Sequence, residues 1–216
     1  MSRVNSQDIL TFLRSNVIIF RERGRTCVED KSLDALIEFL RGYKGARWDE
    51  MPDLELYMDQ VITYLKRLLA PFQDSAQENL ITPSIINNYV KAGFVPRPQR
   101  KKYARAHLAS LTMACTLKRV LPIESVKRLI ERGGAPLNAE RYDQFQEAQR
   151  EAFLEEAQLL EQLKADWPSD TYSLYRLATH FALRAGADRL IADRIMAIIA
   201  EKAPGSGAAI DAQPAK

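Results

Sequence analysis

Apolar positions recur at helical spacing along most of the chain, and few stretches alternate as strands do. Asn5 or Ser6 can cap a first helix that carries Ile9, Phe12, Leu13 and Val17 on one side. The β-branched run within Asn16 to Phe20 weakens its second half. Ser32 precedes a short helix, Leu33 to Arg41, with Leu36, Ile37 and Leu40 on one face. Gly42 to Pro52 contains two glycines and a proline and reads as a linker. Asp53 then reads as the cap of a longer helix. Its apolar stripe is Leu54, Tyr57, Met58, Val61, Ile62, Leu65, Leu68 and Leu69, and a polar loop from Gln73 to Asn79 ends it.

The next element has the most complete start signal in the chain. Thr82 is an N-cap and Pro83 takes the first helical position. Ile81 and Ile86 occupy the two positions of a hydrophobic staple. Gly93 stands where a helix end wants a left-handed residue. The helix is therefore short, with Ile85, Ile86, Tyr89 and Val90 inward and Ser84, Asn87, Asn88 and Lys91 outward. Phe94 to Lys102 holds two prolines and four cations and cannot continue it.

Tyr103 opens the following ordered stretch. Leu108, Leu111, Thr112, Cys115 and Val120 mark a helix ending before Pro122, and a short amphipathic helix follows with Ile123, Val126, Leu129 and Ile130 inward. Gly133 to Pro136 interrupts the chain. A long helix is predicted from Asn138 to Ala165, stopped by Trp167-Pro168. Its apolar pattern is too broken by Gln149 and Glu156 for a heptad seam, so it is expected to fold against the last helices as a bundle. Two more helices are predicted, Thr171 to Ala185 and Asp188 to Lys202, separated by Gly186. The tail, Ala203 to Lys216, is rich in Ala, Gly, Ser and Pro and is expected to be disordered.

The pattern divides the chain into an N-terminal helical segment (1–50), a central domain (53–133), a C-terminal helical region (138–202) and a tail (203–216). The expected class is all-α. No apolar run approaches the roughly 20 residues that cross a bilayer, and the N-terminus lacks a signal-peptide core, so a cytoplasmic protein is expected. Cys27 and Cys115 are too few for a disulfide framework or a zinc site and read as small buried hydrophobes.

Net charge is only +3, but its distribution is uneven. Between Asn79 and Ile123 there is no Asp or Glu, while Lys91, Arg97, Arg100, Lys101, Lys102, Arg105, Lys118 and Arg119 fall there. A chance gap is one explanation. A surface kept free of negative charge because it meets a polyanion is the other. The second fits the element order. A short helix can enter a major groove about 12 Å wide, where Asn side chains pair bidentately with adenine edges. Asn87 and Asn88 have that chemistry. Lys91, and the helix-end amides with Thr82 and Ser84, can hold phosphates. Arg97, Arg100, Lys101 and Lys102, with Arg105 behind them, can lie along the neighbouring backbone as a wing.

The run from Thr82 through Asn87-Asn88-Tyr89-Val90-Lys91-Ala92-Gly93-Phe94-Val95-Pro96 resembles the second helix of MerR-type regulators. Lys101-Lys102-Tyr103 with Leu108 resembles that family's basic wing, and Ser110 to Ile130 its paired closing helices. A closer likeness is carried by Leu56 to Val61, Leu80 to Lys91, and Lys101 through Ala109. These resemble a bacterial family catalogued as domain of unknown function 1836. The resemblance implies a MerR-like winged helix-turn-helix core, flanked by N-terminal helices and a C-terminal helical bundle. It implies no established activity. Asn87 stands where MerR proteins usually carry arginine, and Ala104 where a capping residue usually follows the wing tyrosine. The metal-sensing cysteines have no counterpart.

The expected function is therefore a DNA-binding transcriptional regulator. Its expected partner is double-stranded DNA, its expected assembly a homodimer, and it needs neither a membrane, a metal nor a cofactor. Plainer readings stand beside each feature. Asn87-Asn88 can be ordinary solvated surface, and the loop cations an ordinary turn. Tyr89 and Tyr103 read as core residues, and His107 and His180 as structural. The alternative function is a protein–protein interaction module using the same surface. Enzyme chemistry is not expected, because no GxxxxGK[ST], HExxH or GxSxG stands in the chain.

Overall fold

The computed structural model describes residues 32–72, 81–93, 95–131, 137–166 and 171–202. Outside them lie the expected first helix, Cys27, the 73–79 loop, Phe94, the break at 133–136, the stop at Trp167-Pro168 and the tail. Among the described residues the fold is all-helical: α1 (Leu33–Gly42), α2 (Met58–Leu68), a 3-10 turn (Ala70–Phe72), α3 (Pro83–Lys91), α4 (Arg105–Leu117), α5 (Ile123–Glu131), α6 (Ala139–Asp166) and α7 (Thr171–Lys202). Extended pairing among them is limited to two isolated antiparallel bridges, Leu56 with Tyr103 and Gln99 with Lys102.

One core gathers α2 to α5 around α4. Every residue of α4 from His107 to Cys115 is buried, including Leu108 and Leu111. Val61 and Leu65 of α2, Ile86 and Tyr89 of α3, and Val126 and Ile130 of α5 pack on it. The core extends beyond the central helices. Trp48 and Met51 join it from one side and Tyr142 and Phe145 of α6 from the other. The Trp48 backbone N–H donates to the Asp143 carboxylate at 2.8 Å. The 42–52 segment, expected as a linker, is thus docked rather than free.

A second, smaller core joins α1, α6 and α7 through Ile37, Ala157, Leu160 and Leu177. Ser32 caps α1 as its sequence suggests, its hydroxyl accepting from the Ala35 N–H at 3.1 Å. Ion pairs of Arg41 with Glu161 and Lys164 with Asp34 flank the contact. They are exposed and add little. The rings of Tyr43, Phe72 and Phe153 bridge the two cores, with centroids 4.6 to 5.9 Å apart. The long helix, expected to fold against the last helices, instead lies mainly along α1 and meets α7 around Leu177.

Three local expectations are corrected. The helix expected from Asp53 begins at Met58, because Leu56 exchanges two backbone hydrogen bonds with Tyr103 (2.9 and 2.8 Å) and holds the chain extended. Leu54 is consequently 73% exposed and Tyr57 52%, and neither joins the inner stripe. The helix expected to reach Val120 stops at Leu117; the turn that follows exposes Val120 and buries Leu121. The two helices expected around Gly186 are one continuous α7. A glycine in a helix costs only about 1 kcal/mol relative to alanine, and Ala185 and Ala187 beside it favour continuation.

Candidate functional site

The short helix α3 is built as its sequence dictates. The Thr82 hydroxyl accepts from the Ile85 N–H at 3.2 Å, and Pro83 opens the helix. Ile81 and Ile86 are fully buried, which clamps the entry of the chain. Gly93 ends it at φ +87°, a conformation that a side chain would strain. With Ile86 and Tyr89 on the core, the remaining face is solvent: Ser84, Asn87, Asn88 and Lys91 are all exposed, and Thr82 is half-buried.

The basic segment forms a tight reversal. Lys102 N–H donates to the Gln99 carbonyl at 2.8 Å, and the two central residues, Arg100 and Lys101, have φ of 50° and 63°. Two successive positive φ values are the signature of a type I′ hairpin turn, which is normally filled by Asn-Gly or Gly-Gly. Here two long cations hold it instead. Arg97, Arg100 and Lys101 are exposed, and Lys102 and Arg105 half-buried. The bridge from Tyr103 to Leu56 anchors the base of the reversal, and the Tyr103 ring is buried in the core.

Among the described residues, no carboxylate forms an ion pair with Lys91, Arg97, Arg100, Lys101, Lys102 or Arg105. The remaining two cations of the acid-free window are partly engaged. The Lys118 ammonium lies 5.8 Å from the Tyr89 ring, and the Arg119 guanidinium stacks over Phe72 and donates to its carbonyl.

Two residues take roles that their sequence positions did not suggest. Tyr57 is exposed beside the reversal, with the Lys102 ammonium 5.6 Å from its ring centroid. Helical spacing had placed it on an inner stripe. His107, expected to be structural, supplies the cap that Ala104 lacks: its Nδ1 accepts from the Ala104 N–H at 2.9 Å. The signal was its place three residues after the cap position, where a polar side chain can reach back.

The buried groups nearby are poor chemical agents. Burial pushes the Cys115 thiol up to about 12, so it remains protonated and unreactive. Burial likewise raises the phenols of Tyr89 and Tyr103, which agrees with core roles. No group of three His, Cys, Asp or Glu side chains among the described residues could hold a metal ion. A cleft of about 170 Å³ between α4, α5 and α6 is lined mostly by Met113, Leu117, Leu129 and Phe145. No described helix is long and apolar enough to cross a membrane.

Residues 46–151 match the model of a family described as a domain of unknown function, DUF1836. That match supports the DUF1836 family. The DUF1836 span takes in Trp48 and Met51, α2 to α5, the cationic reversal and the first half of α6. It therefore coincides with the larger core and leaves out α1 and α7. No curated protein and no solved structure matches the chain.

Proposed function

We propose that this protein is a DNA-binding transcriptional regulator, with α2 and α3 as the helix-turn-helix of a MerR-like winged fold and the 99–102 reversal as its wing. The observation that carries the reading is the pairing of an exposed polar helix face with a nearby-in-sequence set of cations that no carboxylate of the described chain neutralises. In the proposed complex α3 enters the major groove. Asn87 and Asn88 read base edges, each good bidentate contact discriminating by about 1–3 kcal/mol. Ser84, Thr82 and Lys91 hold phosphates at the two ends of the helix. Arg100 and Lys101, at the tip of the reversal, meet the neighbouring backbone, with Arg97, Lys102 and Arg105 behind them. A helix of this length reaches only a few base pairs, so two copies acting together are part of the reading.

Titration against duplex DNA at several salt concentrations tests it. If four or five phosphates are neutralised, log affinity falls against log salt with a slope near −4. Replacing Arg100 and Lys101 with glutamine flattens the slope by about 2. Asn87→Ala with Asn88→Ala lowers sequence preference and leaves the slope unchanged. An affinity indifferent to salt and to these substitutions rejects the proposal. Retention of an acidic protein partner, with no DNA bound at moderate salt, favours the interaction-module alternative instead.

A further inference from the structure

Tyr57 is an exposed aromatic residue that the fold sets beside the cationic reversal, and its backbone is fixed on both sides. Leu56, before it, exchanges two backbone hydrogen bonds with Tyr103 at the base of the reversal. The N–H of Tyr57 itself donates to the Gln60 side-chain oxygen at 2.9 Å, at the start of α2. Between these anchors the residue is turned out of the core and is 52% exposed. The Lys102 ammonium stands 5.6 Å from the ring centroid, within cation–π distance. The backbone under the ring is already ordered, which lowers the cost of stacking a planar ligand on it.

The charges around the ring choose the ligand. Lys102, and Arg100 and Lys101 at the tip of the same reversal, form no ion pair among the described residues. Two exposed carboxylates, Glu55 and Asp59, lie two residues to either side of Tyr57 in sequence. They disfavour a phosphate on the ring itself. An uncharged base on the ring, with its phosphates on the cations of the reversal, suits both signs. The bases of a duplex are stacked on one another and present only their edges in the grooves. An unpaired base offers its face to a tyrosine.

We propose that Tyr57, with Lys102, Arg100 and Lys101, is a stacking site for an unpaired nucleotide, so that this surface binds single-stranded nucleic acid. The proposal goes beyond the duplex reading and shares with it only the cations of the reversal. Three labelled strands of about twelve nucleotides test it on the full chain: oligothymidylate, oligouridylate and an abasic strand of equal charge. Duplex DNA is titrated beside them. A strand with bases is expected to bind more tightly than the abasic one. Tyr57→Ala is expected to weaken that binding at least about fivefold, the loss of one stacked base, and Tyr57→Phe to retain it. Circular dichroism is expected to be unchanged in both variants, because the ring lies outside the core. Duplex affinity is expected to be unaffected by Tyr57→Ala. Replacing Arg100 and Lys101 with glutamine is expected to make the single-strand salt slope shallower by about 1.4. Tyr57-dependent binding of either base-bearing strand supports the proposal even where no duplex binds, so the two claims fail separately. The tighter of the two strands then assigns the site to DNA or to RNA. Equal affinity for the abasic strand overturns the proposal, as does single-strand binding unchanged in Tyr57→Ala. Duplex and single-strand binding weakened by the same factor also overturns it, and makes the ring a support for Lys102. Failure of both base-bearing strands to bind overturns it outright.

Discussion

Helix α3 and the second half of α7 both turn one face to water, and the two faces have opposite chemistry. On α3 the outward residues are Ser, Asn and Lys, and the apolar ones are spent on the core. On α7 isoleucines and leucines remain outside after the inward side is filled. A polar outer face costs a free molecule nothing, and it becomes informative only when flanked by charges that are left without counterions. An apolar outer face has a hydration cost in the free molecule, a cost that the polar face of α3 does not carry. Under the proposed function the first face meets a polyanion, whereas the second leaves apolar side chains in water.

The largest effect that separates the two faces is on stability. Ile86→Ala, beneath α3, is expected to cost about 2–5 kcal/mol, because it opens a cavity at a fully buried site. Ile198→Ala, on the outer face of α7, is expected to change the stability of dilute protein by less than about 0.5 kcal/mol. Chemical denaturation of both variants at submicromolar concentration measures the contrast. Equal losses would show that the α7 face is covered within one chain and would remove the contrast.

Sequence pattern reached α3 almost completely, because each of its signals is local. A cap, a proline, a staple and a left-handed glycine lie within thirteen residues and need no distant partner. The start of α2 was not legible for the converse reason. Leu54 and Tyr57 have the spacing of a helix face, but Leu56 is claimed by a backbone bridge to Tyr103, far along the chain. The tight reversal was equally hidden: Arg100-Lys101 is among the least expected pairs for a turn with two positive φ values. The reading of α7 as two helices failed because Gly186 is a weak break when no bend is imposed from outside. The candidate site was legible in its residues and not in its geometry. Tyr57 beside Lys102 and His107 as a cap both depend on contacts made only in the fold.

An alkaline titration sharpens the same comparison at smaller scale. The core under α3 holds Cys115, Tyr89 and Tyr142, all raised by burial, whereas the outer stripe of α7 contains no titratable side chain. A group whose folded pKa lies above its unfolded value contributes full stability below the unfolded value and loses it as pH rises toward the folded one. For Cys115 that window runs from 9.0 to about 12. At pH 10 it is expected to remove about 1–2 kcal/mol, and the tyrosines remove more above pH 10. Thermal unfolding between pH 7 and 11 measures the loss. Cys115→Ala is expected to flatten its first part; a pH profile identical in that variant would show that the thiol is not the buried group responsible.

The smallest effect is the most discriminating, because stability and the proposed function move in opposite directions. Residues other than glycine pay roughly 1 kcal/mol or more to sit in the left-handed region, and such strain persists where a side chain is needed for another purpose. Replacing Arg100 with Asn and Lys101 with Gly supplies the pair that a type I′ turn prefers. The thermal midpoint is expected to rise by a few degrees, corresponding to about 0.5–1 kcal/mol. Affinity for duplex DNA is expected to fall, with the salt slope shallower by about 2, as in the double glutamine variant. The glutamine pair removes the charges and keeps the strained backbone, so it should lose affinity with no gain in midpoint. If the Asn-Gly variant gains stability and keeps its affinity, the tip of the reversal makes no phosphate contact and the strain at Arg100 and Lys101 serves something other than DNA.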